Sequence, residues 1–88
     1  MSTIVELRQS EADLHTDVHE WLKAKLGLPE WYGSNLDALW DCITGYLQTP
    51  LRIRWFADTG NETRYSAIVE IFRDAAEEYE GIEFEYTR

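Results

Sequence analysis

Three short apolar segments of the chain predict β-strands, and in the second and third of them apolar and polar residues alternate. The first segment, TIVEL, spans residues 3–7 and is β-branched at its centre. The second, LRIRWF, spans residues 51–56, and the third, IEFEY, spans residues 82–86. Two longer stretches separate the three segments, and each has room for at least one helix.

The stretch after the first strand has the apolar spacing of a helix. The stripe recurs at every fourth residue and comprises Leu14, Val18, Leu22 and Leu26. Ser10 is the predicted N-cap, because an acid, Asp13, follows three residues later as in a capping box. Gly27 is the predicted end of this helix, since Pro29 forbids its continuation.

A second helix is predicted before the second strand. Asn35 is a good N-cap, the helix should run from about Leu36 to Thr44, and Gly45 should close it at C′. The apolar residues of its buried face are three and four positions apart, namely Leu36, Leu39 and Ile43.

A third helix is predicted between the second and third strands, ending near Gly81. Its apolar stripe comprises Tyr65, Ile68, Val69, Phe72, Ala76 and Tyr79. The resulting order is β-αα-β-α-β. Because a helical crossover joins each pair of successive strands, we expect a parallel three-stranded sheet with right-handed connections. The sequence therefore predicts a single α/β domain over residues 1–88, with its sheet and helices in two layers. Trp21, Trp55 and Tyr86 are expected in the core.

The net charge of the chain limits the kinds of molecule that it is expected to bind. Seventeen acids against eight bases give a net charge of −9 and a pI near 4.5. Such a field repels nucleic acids and anionic lipid and attracts basic surfaces. The single cysteine, Cys42, suits a reducing compartment, and neither a signal peptide nor a membrane span is evident. We therefore expect a cytoplasmic protein that binds neither nucleic acid nor membrane and is monomeric when free.

The segment LPEWYGSNLDALWDCITGY, residues 28–46, is unusual in its acids and aromatics. Asp37 falls in the first turn of the second helix, where the helix dipole favours an acid by about 0.3–1 kcal/mol. Asp41 lies four residues later, and a like-charged pair at that spacing costs about 0.2–0.5 kcal/mol. Trp40 lies at or outside the border of the buried face. The pattern fits either a solvated acidic face with a border tryptophan or a recognition surface.

At this segment the sequence resembles the barstar family of intracellular inhibitors of microbial guanyl-specific ribonucleases. The densest similarity is in LPEWYG, in NLDALWDC, and in TG followed by an aromatic residue. A looser similarity extends over nearly the whole chain, through DVHEWLKAKLGL, PLRIRW and IVEIFRDA. The resemblance implies a barstar-like fold and the inhibition of a basic, secreted, barnase-like ribonuclease. The second helix and the loop before it would cover the active site of that enzyme, with no cofactor or metal.

The resemblance also implies roles for individual residues. Asp41 would take the place of the substrate phosphate, with Asp37 as a second acid at the interface. Trp31 stands where the family usually has a tyrosine that packs on a catalytic histidine, and Asp74 where barstar has a glutamate. The full predicted partner-binding surface consists of Trp31, Tyr32, Asn35, Asp37, Trp40, Asp41, Gly45, Tyr46 and Asp74. The changes at positions 31 and 74 leave the identity of the target enzyme open.

Three other interpretations stay open at this point. An enzyme could use Asp37 and Asp41 as an acid/base pair, but such a pair needs a cleft that an exposed helix lacks. His15 and His19 are expected to be surface residues rather than metal ligands. A second possibility is a barstar-like module for a different basic toxin or protein partner. The third, a DNA mimic, is disfavoured because the acids near the C-terminus (Asp74, Glu77, Glu78 and Glu80) are typical of a solvated helix face.

Overall fold

The computed structural model describes residues 3–58 and 63–87. Three strands alternate with helices along the chain, in the order that the sequence predicts. The elements are β1 (Thr3–Arg8), α1 (Gln9–Ala12), α2 (Val18–Leu26), α3 (Leu36–Asp41), a π-helical turn (Cys42–Tyr46), β2 (Leu51–Phe56), α4 (Ser66–Glu78) and β3 (Ile82–Thr87).

The three strands form one parallel sheet in the order β1-β2-β3. Leu7 is in register with Trp55, and Trp55 is in register with Tyr86. Each parallel pair is joined by helices, as parallel strands require. The predicted α/β architecture with a parallel three-stranded sheet is therefore confirmed.

One face of the sheet packs against the helices and forms the core. At its centre the indole rings of Trp21 and Trp55 meet edge to face, with centroids 5.9 Å apart, and Phe72 of α4 packs beside Trp55. Both tryptophans are buried as predicted, whereas Tyr86 is only half-buried. The indole N–H of Trp55 donates to the buried side-chain oxygen of Gln9, 3.4 Å away.

The other face of the sheet is polar and holds paired charges. Arg52 on the central strand contacts Glu83 at 2.9 Å, and Arg54 contacts Glu85 at 3.1 Å and Glu6 at 3.6 Å. Exposed pairs of this kind contribute little stability each, at most about 1 kcal/mol. The pleat of β2 places both arginines on this face, because the alternate residues Leu51, Ile53 and Trp55 are buried on the other.

The first helical stretch is not the single helix predicted from its apolar stripe. The helix breaks after Ala12, and Leu14 in the following turn is 85% exposed instead of buried. Ser10 is not an N-cap; the Asp13 carboxylate instead accepts a hydrogen bond from the Tyr65 hydroxyl at 2.8 Å. A new helix begins when Asp17 accepts a hydrogen bond from the backbone N–H of His19.

The end of α2 agrees with the prediction. Gly27 adopts a left-handed conformation, with φ of 66°, at the C-terminus of the helix. Glycine adopts this conformation without the steric cost that a Cβ adds. The chain thus turns at Gly27 into the segment that precedes α3, and the position of that segment depends on this turn.

Candidate functional site

The loop before α3 is fixed by two buried residues and exposes a third, Trp31, to solvent. Leu28 and Tyr32 are buried, and the backbone N–H of Tyr32 donates to the carbonyl of Pro29 at 3.0 Å. This turn leaves the intervening Trp31 with its side chain 63% exposed. Aromatic rings are enriched at binding hot spots, so this exposed indole makes Trp31 a candidate contact residue.

Tyr32 lies in the core and not on the predicted contact surface. Its side chain is 6% exposed, and its hydroxyl lies within hydrogen-bonding distance, 2.6 Å, of Nδ1 of His19 on α2. Burial, followed by the charges of the nearby Cys42 and Asp17, raises the pKa of Tyr32 to about 12. His19 is correspondingly half-buried rather than fully exposed. The pair anchors the loop to α2, so Tyr32 acts as a support for Trp31.

Asn35 is likewise engaged inside the chain. Its side-chain oxygen accepts a hydrogen bond from the backbone N–H of Ala38 at 2.8 Å, as the predicted N-cap should. Its side-chain nitrogen donates to the carbonyl of Gly33 at 3.3 Å. A Cβ at Gly33 would lie 3.3 Å from that same nitrogen, which explains the glycine. Asn35 therefore uses its amide to join the loop to α3, although it was predicted to bind a partner.

Helix α3 buries one face and exposes its acids. Leu39 and Ile43 are fully buried, whereas Leu36, predicted with them, is partly exposed at the start of the helix. Asp37 and Asp41 are both exposed. Because they are four residues apart in a helical segment, the two carboxylates project from the same side.

Cys42 lies on the buried side of this segment. Its side chain is fully buried, and burial, followed by the charge of Asp41, raises the pKa of the Cys42 thiol. A raised thiol pKa disfavours the reactive thiolate. Cys42 is therefore a small core residue.

A π-helical turn, and not a glycine cap, ends this helical segment. The backbone N–H of Leu47 donates to the carbonyl of Cys42, five residues earlier, at 2.9 Å. The Thr44 hydroxyl donates to the carbonyl of Trp40 at 2.8 Å. Gly45 lies within the turn without a positive φ, so the prediction that it closes the helix at C′ is wrong.

The π-helical turn brings Tyr46 against Trp31. The two rings are perpendicular, with centroids 5.6 Å apart, and both are largely exposed. Two residues predicted for the site on sequence grounds therefore meet in space. Together they form an aromatic pair at the junction of the loop and the end of the helical segment.

A second aromatic pair involves a residue that the sequence reasoning missed. Trp40 is half-buried, and its ring contacts that of Tyr79 at the end of α4, with centroids 6.3 Å apart. Tyr79 follows the apolar stripe of α4, so its spacing indicates a core position, yet it is 42% exposed. Only the position of Tyr79 near the predicted end of the helix could have indicated that its ring is exposed.

The acids of the site, Asp37, Asp41 and Asp74, take part in none of the ion pairs formed by the described residues. The chain from residue 28 to residue 50 contains three acids and no lysine or arginine. Asp74 is exposed on α4, the helix that packs against α3. This side of the protein is therefore an uncompensated acidic surface.

The cavity that the structure shows does not involve the residues of this surface. It has a volume of about 260 Å³ and lies between α4 and β3, and its lining includes Thr63, Arg73 and Tyr86 but no predicted site residue. Within the described part of the chain, no group of three or more His, Cys, Asp or Glu side chains is placed to hold a metal ion. No helix there is long and apolar enough to span a membrane.

Exposed aromatic rings beside an acidic helix are typical of surfaces that bind other proteins. A family model described as "Barstar (barnase inhibitor)" matches residues 2–87. A protein of Bacillus subtilis (strain 168), named "Putative ribonuclease inhibitor YrdF", is 40% identical over 65 residues, which are 69% of this chain and 71% of that protein. The chain belongs to the barstar family. Family membership also confirms that it is an inhibitor protein and not an enzyme.

Proposed function

We propose that the protein inhibits a secreted guanyl-specific ribonuclease of the barnase type by covering its active site with α3 and the preceding loop. The observation that carries this proposal is the state of Asp37 and Asp41. Both are exposed on a rigid helical segment and, among the described residues, have no ion-pair partner. The family match and the name of the relative support the same role.

A carboxylate suits the active site of a ribonuclease for a simple electrostatic reason. Such a site binds a phosphate and is therefore lined by basic side chains. A carboxylate accepts charge-assisted, often bidentate, hydrogen bonds from these groups, and an enzyme that cleaves phosphodiesters cannot hydrolyse it. Asp41 fills this role, and Asp37, one turn earlier, offers a second acceptor to the same basic cluster.

The helical segment holds its acids in place before binding. Leu39 and Ile43 fix it to the core, and the Asn35 side chain fixes its start. Groups that are already ordered lose little conformational entropy on association. The buried faces of α3 and of its loop therefore contribute to affinity without contacting the partner.

The remaining site residues extend the interface on both sides of the acids. Trp31 and Tyr46 supply exposed rings of the kind enriched at binding hot spots, and Asp74 adds an acid from α4. Tyr32 supports this surface from the core, and Asn35 holds the start of α3 through its cap hydrogen bond. A specific complex of this type buries about 1,200–2,000 Å² in total.

The net charge of the inhibitor affects the rate at which the two proteins associate. A charge of −9 attracts a basic enzyme at long range and raises the association rate, an effect that added salt reduces. We place the free inhibitor in the cytoplasm as a monomer, where it would protect the producing cell from its own ribonuclease.

The proposal is tested by titrating RNA cleavage by a barnase-like guanyl-specific ribonuclease with the parent protein and with Asp41→Ala. We expect stoichiometric inhibition by the parent. Truncation of a central anchor should weaken binding by about 2 kcal/mol or more. Glu20→Ala is the charge-matched control, because Glu20 is exposed on α2 and outside the surface. Circular dichroism checks that each variant is folded.

Failure would take one of two forms. Loss of fold in Asp41→Ala would make Asp41 structural and refute its role as a phosphate mimic. Absence of inhibition by the folded parent would refute the ribonuclease target. The alternative is then a barstar-like immunity module for a different basic toxin or protein partner. The residues at positions 31 and 74, which differ from the family pattern, favour a different target. A pull-down from cytoplasm and culture medium would identify the basic protein retained.

A further inference from the structure

Tyr79 ends α4 in a way that brings its ring to α3. The backbone leaves the helix at this residue, which is extended with φ of −123° and ψ of 119°. Its N–H still donates to the carbonyl of Ala75, so the position of the residue is fixed. The ring contacts Trp40 with an interplanar angle of 62°, and the side chain remains 42% exposed. An aromatic ring that is ordered in this way but uncovered is available to a partner.

Arginines of the chain itself cover aromatic rings elsewhere but not here. Among the described residues, arginine side chains lie over the rings of Phe56, Tyr65, Phe84 and Tyr86. Within residues 3–58 and 63–87, no such contact reaches Trp40 or Tyr79. These two rings can therefore accept a cation from another molecule, whereas the four rings named above already contact an arginine of the chain.

The carboxylates adjacent in sequence to these two aromatic residues favour the binding of a cationic group. Asp41 follows Trp40 directly, and Glu78 and Glu80 flank Tyr79 in the chain. A guanidinium or ammonium group is attracted by the electron-rich face of an aromatic ring, and nearby carboxylates add to this attraction. An apolar or anionic partner group would gain nothing from these carboxylates.

We propose that Trp40 and Tyr79 form a cation-binding aromatic pair that receives an arginine or lysine side chain of the basic ribonuclease. The proposal rests on the proposed function and deepens it, because it extends the interface from α3 onto the end of α4. It also assigns to Tyr79 a contact role that the chain's family resemblance does not supply. Charge complementarity between this acidic surface and a basic enzyme identifies the occupant.

The test compares three substitutions of one residue in the inhibition assay. Tyr79→Phe keeps the aromatic face, Tyr79→Leu keeps apolar packing against Trp40 without an aromatic face, and Tyr79→Ala removes both. We expect the phenylalanine variant to bind within about twofold of the parent. The leucine and alanine variants should each bind about tenfold more weakly, as loss of a desolvated cation–π contact implies. Thermal unfolding of each variant shows that the protein remains folded.

Phe56→Leu is the matched control, since this ring lies on the polar face of the sheet and contacts Arg8 of the same chain. It should inhibit like the parent. Parent-like binding by Tyr79→Leu together with weak binding by Tyr79→Ala would reduce Tyr79 to a packing support for Trp40 and overturn the proposal. Parent-like binding by all three variants would place Tyr79 outside the interface, with ribonuclease inhibition intact. Failure of the parent to inhibit would refute the proposed function, and this inference with it.

Discussion

The indole ring of Trp31 stands perpendicular to the phenol ring of Tyr46, with their centroids 5.6 Å apart. Trp31 comes from the loop before α3 and Tyr46 from the π-helical turn after it, so the contact joins the two ends of the acidic segment. Edge-to-face pairs are worth about 0.5–1.5 kcal/mol beyond the area they bury. Because both rings are largely exposed, this contact orients them more than it stabilises the fold.

Truncation of these two rings should weaken inhibition in a coupled manner. We expect Trp31→Ala and Tyr46→Ala each to cost about 1 kcal/mol or more in binding, since exposed aromatic residues dominate such interfaces. In a double-mutant cycle the pair should show a coupling energy of about 0.5–1.5 kcal/mol, because each ring holds the other in place. Unchanged affinity in Trp31→Ala would show that replacement of the family's usual tyrosine has moved the contact elsewhere.

Gly45→Ala should increase the stability of the free protein and weaken its binding to the ribonuclease. A Cβ at Gly45 would meet no atom within 4 Å, and the residue does not have a positive φ. Alanine should therefore raise the free energy of unfolding by about 0.5–1 kcal/mol through lower backbone entropy in the unfolded chain. The added methyl group would face the partner and should weaken inhibition. Chemical denaturation and the inhibition assay measure the two effects, and equal or better inhibition by this variant would remove Gly45 from the interface.

Tyr32 should make the protein less stable in strong alkali. Its pKa is raised to about 12 in the folded protein, against about 10 in an unfolded chain. As the pH rises from 10 to 12, the unfolded chain loses the phenol proton first, so the free energy of unfolding falls. Below pH 10 this contribution is fully present.

Tyr32→Phe tests this pH dependence, because it removes the titrating group. Its stability should fall less steeply than that of the parent above pH 10, while at pH 7 it should be lower by about 1 kcal/mol through loss of the hydrogen bond to His19. Tyr65, whose pKa is also raised, titrates in both proteins and cancels in the comparison. Parallel pH profiles would contradict the assignment.

Asp37 and Asp41 should affect the stability of the free protein in opposite directions. Asp37 lies in the first turn of α3, where the dipole favours an acid by about 0.3–1 kcal/mol, and Asp37→Asn loses this stabilisation. Relief of the repulsion from Asp41 offsets about 0.2–0.5 kcal/mol of the loss, so the net cost should be smaller. Asp41 is the last residue of α3 and repels Asp37, so Asp41→Asn should stabilise by about 0.2–0.5 kcal/mol. Added salt should shrink both differences. A loss of stability in Asp41→Asn would point to a structural role for this carboxylate.

The strands and α4 were predictable because their signals are local. Residues 51–55 alternate and belong to a strand that ends at Phe56, while the stripe that includes Ile68 and Phe72 forms one continuous helix. The N-cap at Asn35 and the left-handed Gly27 were also predictable, since the chemistry of both ends is local.

The break after α1 and the π-helical turn were not predictable in the same way. Leu14 fits a helical stripe, but Asp13 accepts a hydrogen bond from Tyr65, 52 residues away, and no local pattern reveals that contact. A π-helical turn changes the hydrogen-bond spacing without changing the residue types. Tyr79 has the spacing of a core residue, and only the end of the helix exposes it. The site could therefore be located from sequence, but its supports and its second aromatic pair could not.

The charges on the outer face of the sheet cancel, and the net charge of the molecule is therefore unevenly distributed. Glu6, Glu83 and Glu85 balance Arg8, Arg52 and Arg54 on that face, three acids against three bases. That face therefore contributes nothing to the net charge of −9, and the excess lies in the rest of the molecule, which includes the acidic surface on α3. In the field of a basic partner such an uneven body experiences a torque as well as a pull. The protein should rotate its acidic side forward during diffusion, so that many encounters begin nearly in docking orientation.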